Sequence, residues 1–257
     1  MRRSVLVLHL CAALLLTLTP AVAQWTKIPS NAPRGKDGKV NLTAPAPKLA
    51  DGKPDFSGVW QATSPKWLRS LAGDLKPEDY PLQPFGKAIL DERKDGRLAK
   101  YEPDANCLPQ GVPKINSTPV PFRLIQTSDR VVILYEAFNL WRQAFLDGRE
   151  LMPNPNPTWL GYSVGRYEGD TLVVETVGFN GKAWLDQVGL PQTESGRVTE
   201  RFHRKDFGHL DIKVTIDDPK AYTKPWTVTQ EASLIPDTEL LEFICNENEK
   251  DQPHISK

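Results

Sequence analysis

Cysteine, methionine and histidine are scarce in this chain: three, two and four of 257 residues. Net charge is absent, because 32 Lys and Arg balance 32 Asp and Glu. A neutral chain has no basic excess to hold a phosphate backbone or an anionic lipid surface, so no nucleic-acid partner is expected. After the first two dozen residues no apolar run is long enough to span a bilayer. There is no P-loop, no G-x-G-x-x-G and no G-x-S-x-G, which removes the announced forms of nucleotide binding and of the serine nucleophile elbow. There is no H-x-H or H-E-x-x-H either, and the spaced pair His203 and His209 does not make a metal signature. The sequence therefore announces no metal and no cofactor.

The amino terminus does carry a signal. Arg2 and Arg3 form a charged start, Val5 to Leu18 an apolar core, and Ala21-Val22-Ala23 a cleavage site before Gln24. Residues 1–23 read as a secretory signal peptide, so a periplasmic or secreted protein is expected, with no membrane span after cleavage. That leaves two cysteines, Cys107 and Cys245, which in an oxidising compartment are expected to bond. Residues 24–54 form a Pro-rich extended leader, residues 251–257 a polar tail, and 55–250 a single domain with a helical insertion near 65–100. Within that insertion Pro84 stands where a helix starts, and Phe85, Ile89 and Leu90 share a stripe. Residues 101–121 are Pro-rich and irregular.

From Phe122 the pattern changes to short runs of Val, Ile, Thr and aromatics between turn residues. Strands are expected at 56–62, 122–127, 130–136, 139–146, 162–168, 171–177, 197–205, 209–216, 226–234 and 238–245. Turns fall at Ser128-Asp129, Gly169-Asp170, Phe207-Gly208 and Pro236-Asp237. Loops 147–161 and 178–196 are long, and long ordered loops often carry function. Sequential strands joined by short links favour a mainly β, antiparallel up-and-down barrel, with a two-sheet sandwich as the alternative.

F-S-G-V-W at 56–60 resembles the Gly-x-Trp start of lipocalin-like barrels. Four longer strings, 51–60, 106–113, 156–176 and 215–227, together resemble an uncharacterised family of secreted bacterial proteins over most of residues 51–250. The resemblance implies export and a β-rich fold, and brings no activity or catalytic residues.

Strand alternation then sorts faces. Glu200 falls in the apolar row of Val198 and Phe202, where a lone carboxylate costs several kcal/mol unless paired or protonated. It reads as an interior acid, base or ligand anchor, or as half of a salt bridge. Arg142 shares a row with Leu140 and Ala144, and Tyr135 with Val131 and Ile133. Together they form a clamp suited to a carboxylate, unless Arg142 pairs with Glu200 or Glu136. Gln230 shares the row of Val228 and Ala232 and adds an amide. His209 and Asp211 share a face and suggest an oriented base, against a plain solvated edge. Trp159 and Trp184 lie in loops that would cover a barrel mouth and stack on a ligand, or simply plug it.

Three functions follow. The first is a monomeric, exported binding protein that holds a small apolar or amphipathic ligand inside the barrel, with Tyr135, Arg142, Gln230, Trp159 and Trp184 at the ligand. The second is a cofactor-independent lyase, isomerase or hydrolase that uses Glu200 or His209 with Asp211 as acid and base. The third is a structural envelope protein with a filled barrel.

Overall fold

The computed structural model describes residues 30–76, 79–94 and 96–247. The expected signal peptide, the first residues of the leader and the tail 251–257 lie outside the described residues. Nine strands follow one another around a closed barrel among the described residues: β1 (Gly58–Ala62), β2 (Phe122–Gln126), β3 (Arg130–Tyr135), β4 (Leu140–Phe145), β5 (Tyr162–Glu168), β6 (Thr171–Val177), β7 (Arg197–Arg204), β8 (His209–Asp217) and β9 (Trp226–Leu234). The barrel, rather than the sandwich, is the architecture, and the strands lie close to where the alternation puts them.

The barrel departs from pure up-and-down order at one place. In a closed ring of nine strands, direction cannot alternate all the way round, so at least one neighbouring pair runs parallel. That pair is β4 and β5, joined only at Ala144↔Ser163 and Phe145↔Val164. The other neighbours, β9 and β1 included, are antiparallel. A parallel connection needs a long crossover. The long loop after β4, expected as a functional segment, is that crossover.

The strand expected at 238–245 does not form. β1 pairs with β2 on one side and β9 on the other, so the closed ring has no free edge there for a tenth strand. Leu241 and Phe243 instead donate backbone N–H groups to the side chains of Glu136 and Asn139, which place the segment beside the β3–β4 turn. Cys107 and Cys245 are bonded, 138 positions apart in the chain. The bridge thus ties the Pro-rich segment to an irregular stretch after β9, not to a last strand.

Both ends of the barrel are closed. At one end the leader lies under the strands: Phe207 and Gly208 donate backbone bonds to Ala44 and Leu42. At the other end sit helix α1 (Lys66–Arg69), helix α2 (Pro84–Arg93) and the loops after β6 and β8. There Leu71 donates to Asp186 at 2.8 Å and Leu82 bridges Tyr222. Helix α2 does begin at Pro84, and Leu90 of the expected stripe packs on the core, but Phe85 does not. Phe85 is exposed, and the contact is made by Gly86 and Leu90. Inward rows from every strand, from Trp60 and Phe122 round to Val228, merge with these caps into one core.

Candidate functional site

A short 3-10 turn, Lys114–Ser117, dips into the barrel from the capped end with all four residues buried. It meets the polar residues that alternation pointed inward. Asn116 Nδ2 donates to Glu200 Oε1 at 2.6 Å, and Asn116 Oδ1 accepts from the Tyr135 hydroxyl at 2.9 Å. Ser117 accepts from Gln230 Nε2 at 2.5 Å. Lys114 pairs with Glu102 and, at 3.0 Å, with Asp104. The chain's own turn therefore fills the place that a lumenal ligand would take beside Tyr135, Glu200 and Gln230. Sequence reasoning missed this. The P-K-I-N-S-T-P run announces irregular backbone, but irregular backbone is ordinarily at the surface.

Arg142 and Glu200 form the centre of this network. Arg142 Nη2 donates to Glu200 Oε2 at 2.6 Å, to Thr176 Oγ1 at 3.1 Å and to Ser163 Oγ at 3.4 Å. Both partners are buried, Glu200 completely. Burial works against the Arg142 charge, but the adjacent Glu200 carboxylate outweighs it and holds the guanidinium above its usual value. Burial pushes the Tyr135 phenol up as well. Glu200 is thus half of a salt bridge, with both oxygens bonded, and is closed to solvent. That is a poor setting for a general base, which needs a free lone pair toward its substrate.

The expected pairing of His209 with Asp211 is not found. His209 Nδ1 lies 2.7 Å from Asp206, in the β7–β8 turn, while Asp211 pairs with Lys205 at 2.8 Å. The two do share a face, but each finds a nearer partner. Trp184 is buried beneath Arg93, whose guanidinium stacks on its ring at 4.3 Å, so it belongs to the cap. Arg204, the next inward residue after Phe202 on β7, was assigned no role from sequence. It donates to the backbone oxygens of Asp55, at 2.6 Å, and of Phe207, and so clamps the segment before β1 to the β7–β8 turn.

One opening in the barrel wall is the seam between β4 and β5. A pocket of about 340 Å³ lies there, lined by Pro109, Leu140–Gln143, Phe145 and Thr158–Ser163. Its lining includes inward residues of the strands (Arg142, Ser163) and outward ones (Trp141, Tyr162). It is therefore an opening in the plane of the sheet, where the two strands splay apart above their short pairing. Arg142 Nε and Nη1 are buried and have no hydrogen-bond partner among the described residues. Trp159 lines the same opening, half-buried, and Trp141 is 61% exposed. The seam thus brings a set of aromatic rings and Arg142 into one lining.

No family model and no curated protein matches the chain. Among solved structures, a mutant of the fluorescent protein UnaG is similar over 72% of this chain and 97% of its own, at 17% identity and a TM-score of 0.32. The barrel assignment stands on the strand pairing itself.

Proposed function

We propose that this chain is an exported binding protein that takes a small amphipathic ligand at the opening between β4 and β5. One observation carries the reading: Arg142, two of whose buried N–H groups lack a hydrogen-bond partner among the described residues, lines a pocket together with Trp141, Trp159 and Tyr162. An unmade hydrogen bond on a buried charged group is costly, and a ligand oxygen removes that cost. The site differs from a lumenal container, because Asn116 and Ser117 already engage the interior polar residues. The chemistry differs from a carboxylate clamp as well. Glu200 balances the Arg142 charge, so a neutral carbonyl or hydroxyl acceptor fits better than a second anion.

Export is part of the same reading. It is supported by the charged-apolar-AVA start, by the Cys107–Cys245 bridge, and by the fact that no described helix is long and apolar enough to cross a membrane. Membership of the secreted bacterial family stays with it as a proposal. Two of the strings that carry that resemblance supply Pro109 and Thr158–Ser163 to the rim of the opening.

The test is an NMR titration of the mature protein with benzamide, an aromatic ring bearing a neutral carbonyl, and with benzylamine, the same ring bearing only donors. Benzamide is expected to shift the Arg142 Nε–H and the Trp141 and Trp159 indole signals, with benzylamine much weaker. Equal effects of the two probes, or shifts elsewhere only, would overturn the reading.

A further inference from the structure

We infer that the chain carries a second ligand site, under the leader at its end of the barrel, for an uncharged and largely apolar molecule bearing one carbonyl or hydroxyl oxygen. This site goes beyond the β4–β5 reading and does not depend on it. Strand alternation turns Gln126 of β2, Gly165 and Tyr167 of β5, and Leu146 just after β4 toward the barrel interior. They lie past the Ala144↔Ser163 and Phe145↔Val164 pairs, on the side away from the opening described above. All four line a cleft of about 600 Å³, a volume typical of small-molecule sites. Its roof is a hairpin of the leader, held by the Lys48–Pro54 bridge and by the Leu49 N–H bonded to the Lys53 carbonyl at 2.8 Å. Leu49 and Ala50 of that hairpin complete the apolar lining. Gly165 keeps the floor low, since a methyl there would stand 2.9 Å from the Leu146 side chain.

Gln126 fixes the polar chemistry. Its Oε1 accepts the Phe56 N–H, so its Nε2 is the atom that faces Tyr167. Nε2 donates to the Tyr167 hydroxyl at 2.8 Å and to the Pro54 carbonyl at 3.0 Å. The Tyr167 oxygen is therefore already an acceptor, and its own hydrogen is left to give. Among the described residues no acceptor takes it. Burial raises the Tyr167 phenol, which keeps that hydrogen in place at neutral pH. The charged residues of the lining answer one another. Lys53 pairs with Asp51 at 2.8 Å, and Arg166 pairs with Glu168 at 2.8 Å and with Glu175. A charged ligand thus finds no unpaired counter-charge in the lining. An oxygen on an apolar body takes the Tyr167 hydrogen and covers Leu49, Leu146 and Gly165 at once.

The experiment uses the full mature chain and three probes of one shape: acetophenone, with a neutral carbonyl, ethylbenzene, with no acceptor, and benzoate, with a charge. Binding is read by NMR shifts and by amide hydrogen exchange. Acetophenone is expected to shift the amides of Gly148, Gly165 and Tyr167 and to slow exchange at Leu49 and Gly52 in the roof. Ethylbenzene and benzoate are expected to bind roughly fivefold more weakly, the worth of about one hydrogen bond. Tyr167→Phe is expected to bring acetophenone down to the affinity of ethylbenzene and to leave ethylbenzene unchanged, which a general loss of structure would not do. Leu49→Glu, on the exposed hairpin and outside the barrel core, sets a charge in the lining and is expected to weaken acetophenone roughly fivefold as well. Acetophenone no tighter than ethylbenzene or benzoate, or indifferent to both substitutions, would overturn the site. Shifts confined to Trp141 and Trp159 would overturn it too, while leaving the β4–β5 reading in place.

Discussion

Arg142 on β4 and Glu200 on β7 meet inside the barrel, Nη2 to Oε2 at 2.6 Å, across the two strands that separate them. Neither side chain has an alternative in water, since both are buried. Removing one partner strands the other charge, which costs about 3–5 kcal/mol. Glu200→Gln and Arg142→Met are each expected to lose that much in urea denaturation. The double variant Arg142→Met/Glu200→Gln is expected to lose less than their sum, with a coupling of about 1–3 kcal/mol. Additive losses would show that the pair is not a unit.

Asn116 sits between Tyr135 and Glu200 and donates to one while accepting from the other. Tyr135→Phe leaves its carbonyl unpaired and is expected to cost about 1–3 kcal/mol. Asn116→Asp is a sharper probe, because it sets a second carboxylate against Glu200. Like charges at that distance raise the folded pKa of the pair. A raised carboxylate favours the native state below its ordinary value and loses that advantage as pH rises. The variant is therefore expected to be closest to wild type near pH 4 and weakest at pH 7, read by thermal melts across that range.

The interior rows were legible because period 2 is rigid: once Val198 and Phe202 point inward, Glu200 must follow. The same rule placed Arg142, Tyr135 and Gln230, all buried. Alternation says nothing about what a row meets. The partner of Glu200 and Tyr135 lies 84 and 19 residues away in a Pro-rich turn with no period of its own. The strand expected at 238–245 failed for a different reason. Its residues suit a strand, but ring closure between β1 and β9 is a global fact that no local run encodes. The β4–β5 opening follows from that closure as well, since the odd strand number forces one parallel pair.

Glu102 gives a pH test at the cap. Burial raises its pKa, and Lys114 beside it pulls the other way without cancelling the effect. A carboxylate raised in the folded state supports folding below its unfolded value, about 4.3, and that support is lost as pH climbs through the folded value. The stability of wild type minus that of Glu102→Gln is thus expected to fall between pH 3 and pH 7, measured by urea denaturation at each pH. A difference that rises with pH would show that the Lys114 pairing dominates.

The disulfide holds the segment carrying the buried turn to the chain after β9. Closing so long a loop contributes about 4–5 kcal/mol by restricting the unfolded chain. Cys107→Ser/Cys245→Ser is expected to lose up to that amount in urea. The intact wild-type mass is expected to be two protons below the value for free thiols.

Helix α2 offers a case where the sign of a common substitution reverses. Replacing glycine by alanine inside a helix ordinarily gains about 1 kcal/mol. Gly86 is buried in α2 against the loop after β8, and a methyl added there would stand 2.3 Å from the Ala221 carbonyl oxygen. That oxygen also accepts the Gln83 N–H at 2.8 Å, at the start of the helix, so it is not free to retreat. Gly86→Ala must push the helix off the cap or break that bond. It is expected to destabilise the protein by about 1–3 kcal/mol, in the range of overpacked cores, while Ala at exposed Lys87 stays within about 0.5 kcal/mol of wild type. A Gly86→Ala variant as stable as wild type would mean that α2 does not pack its backbone on this loop.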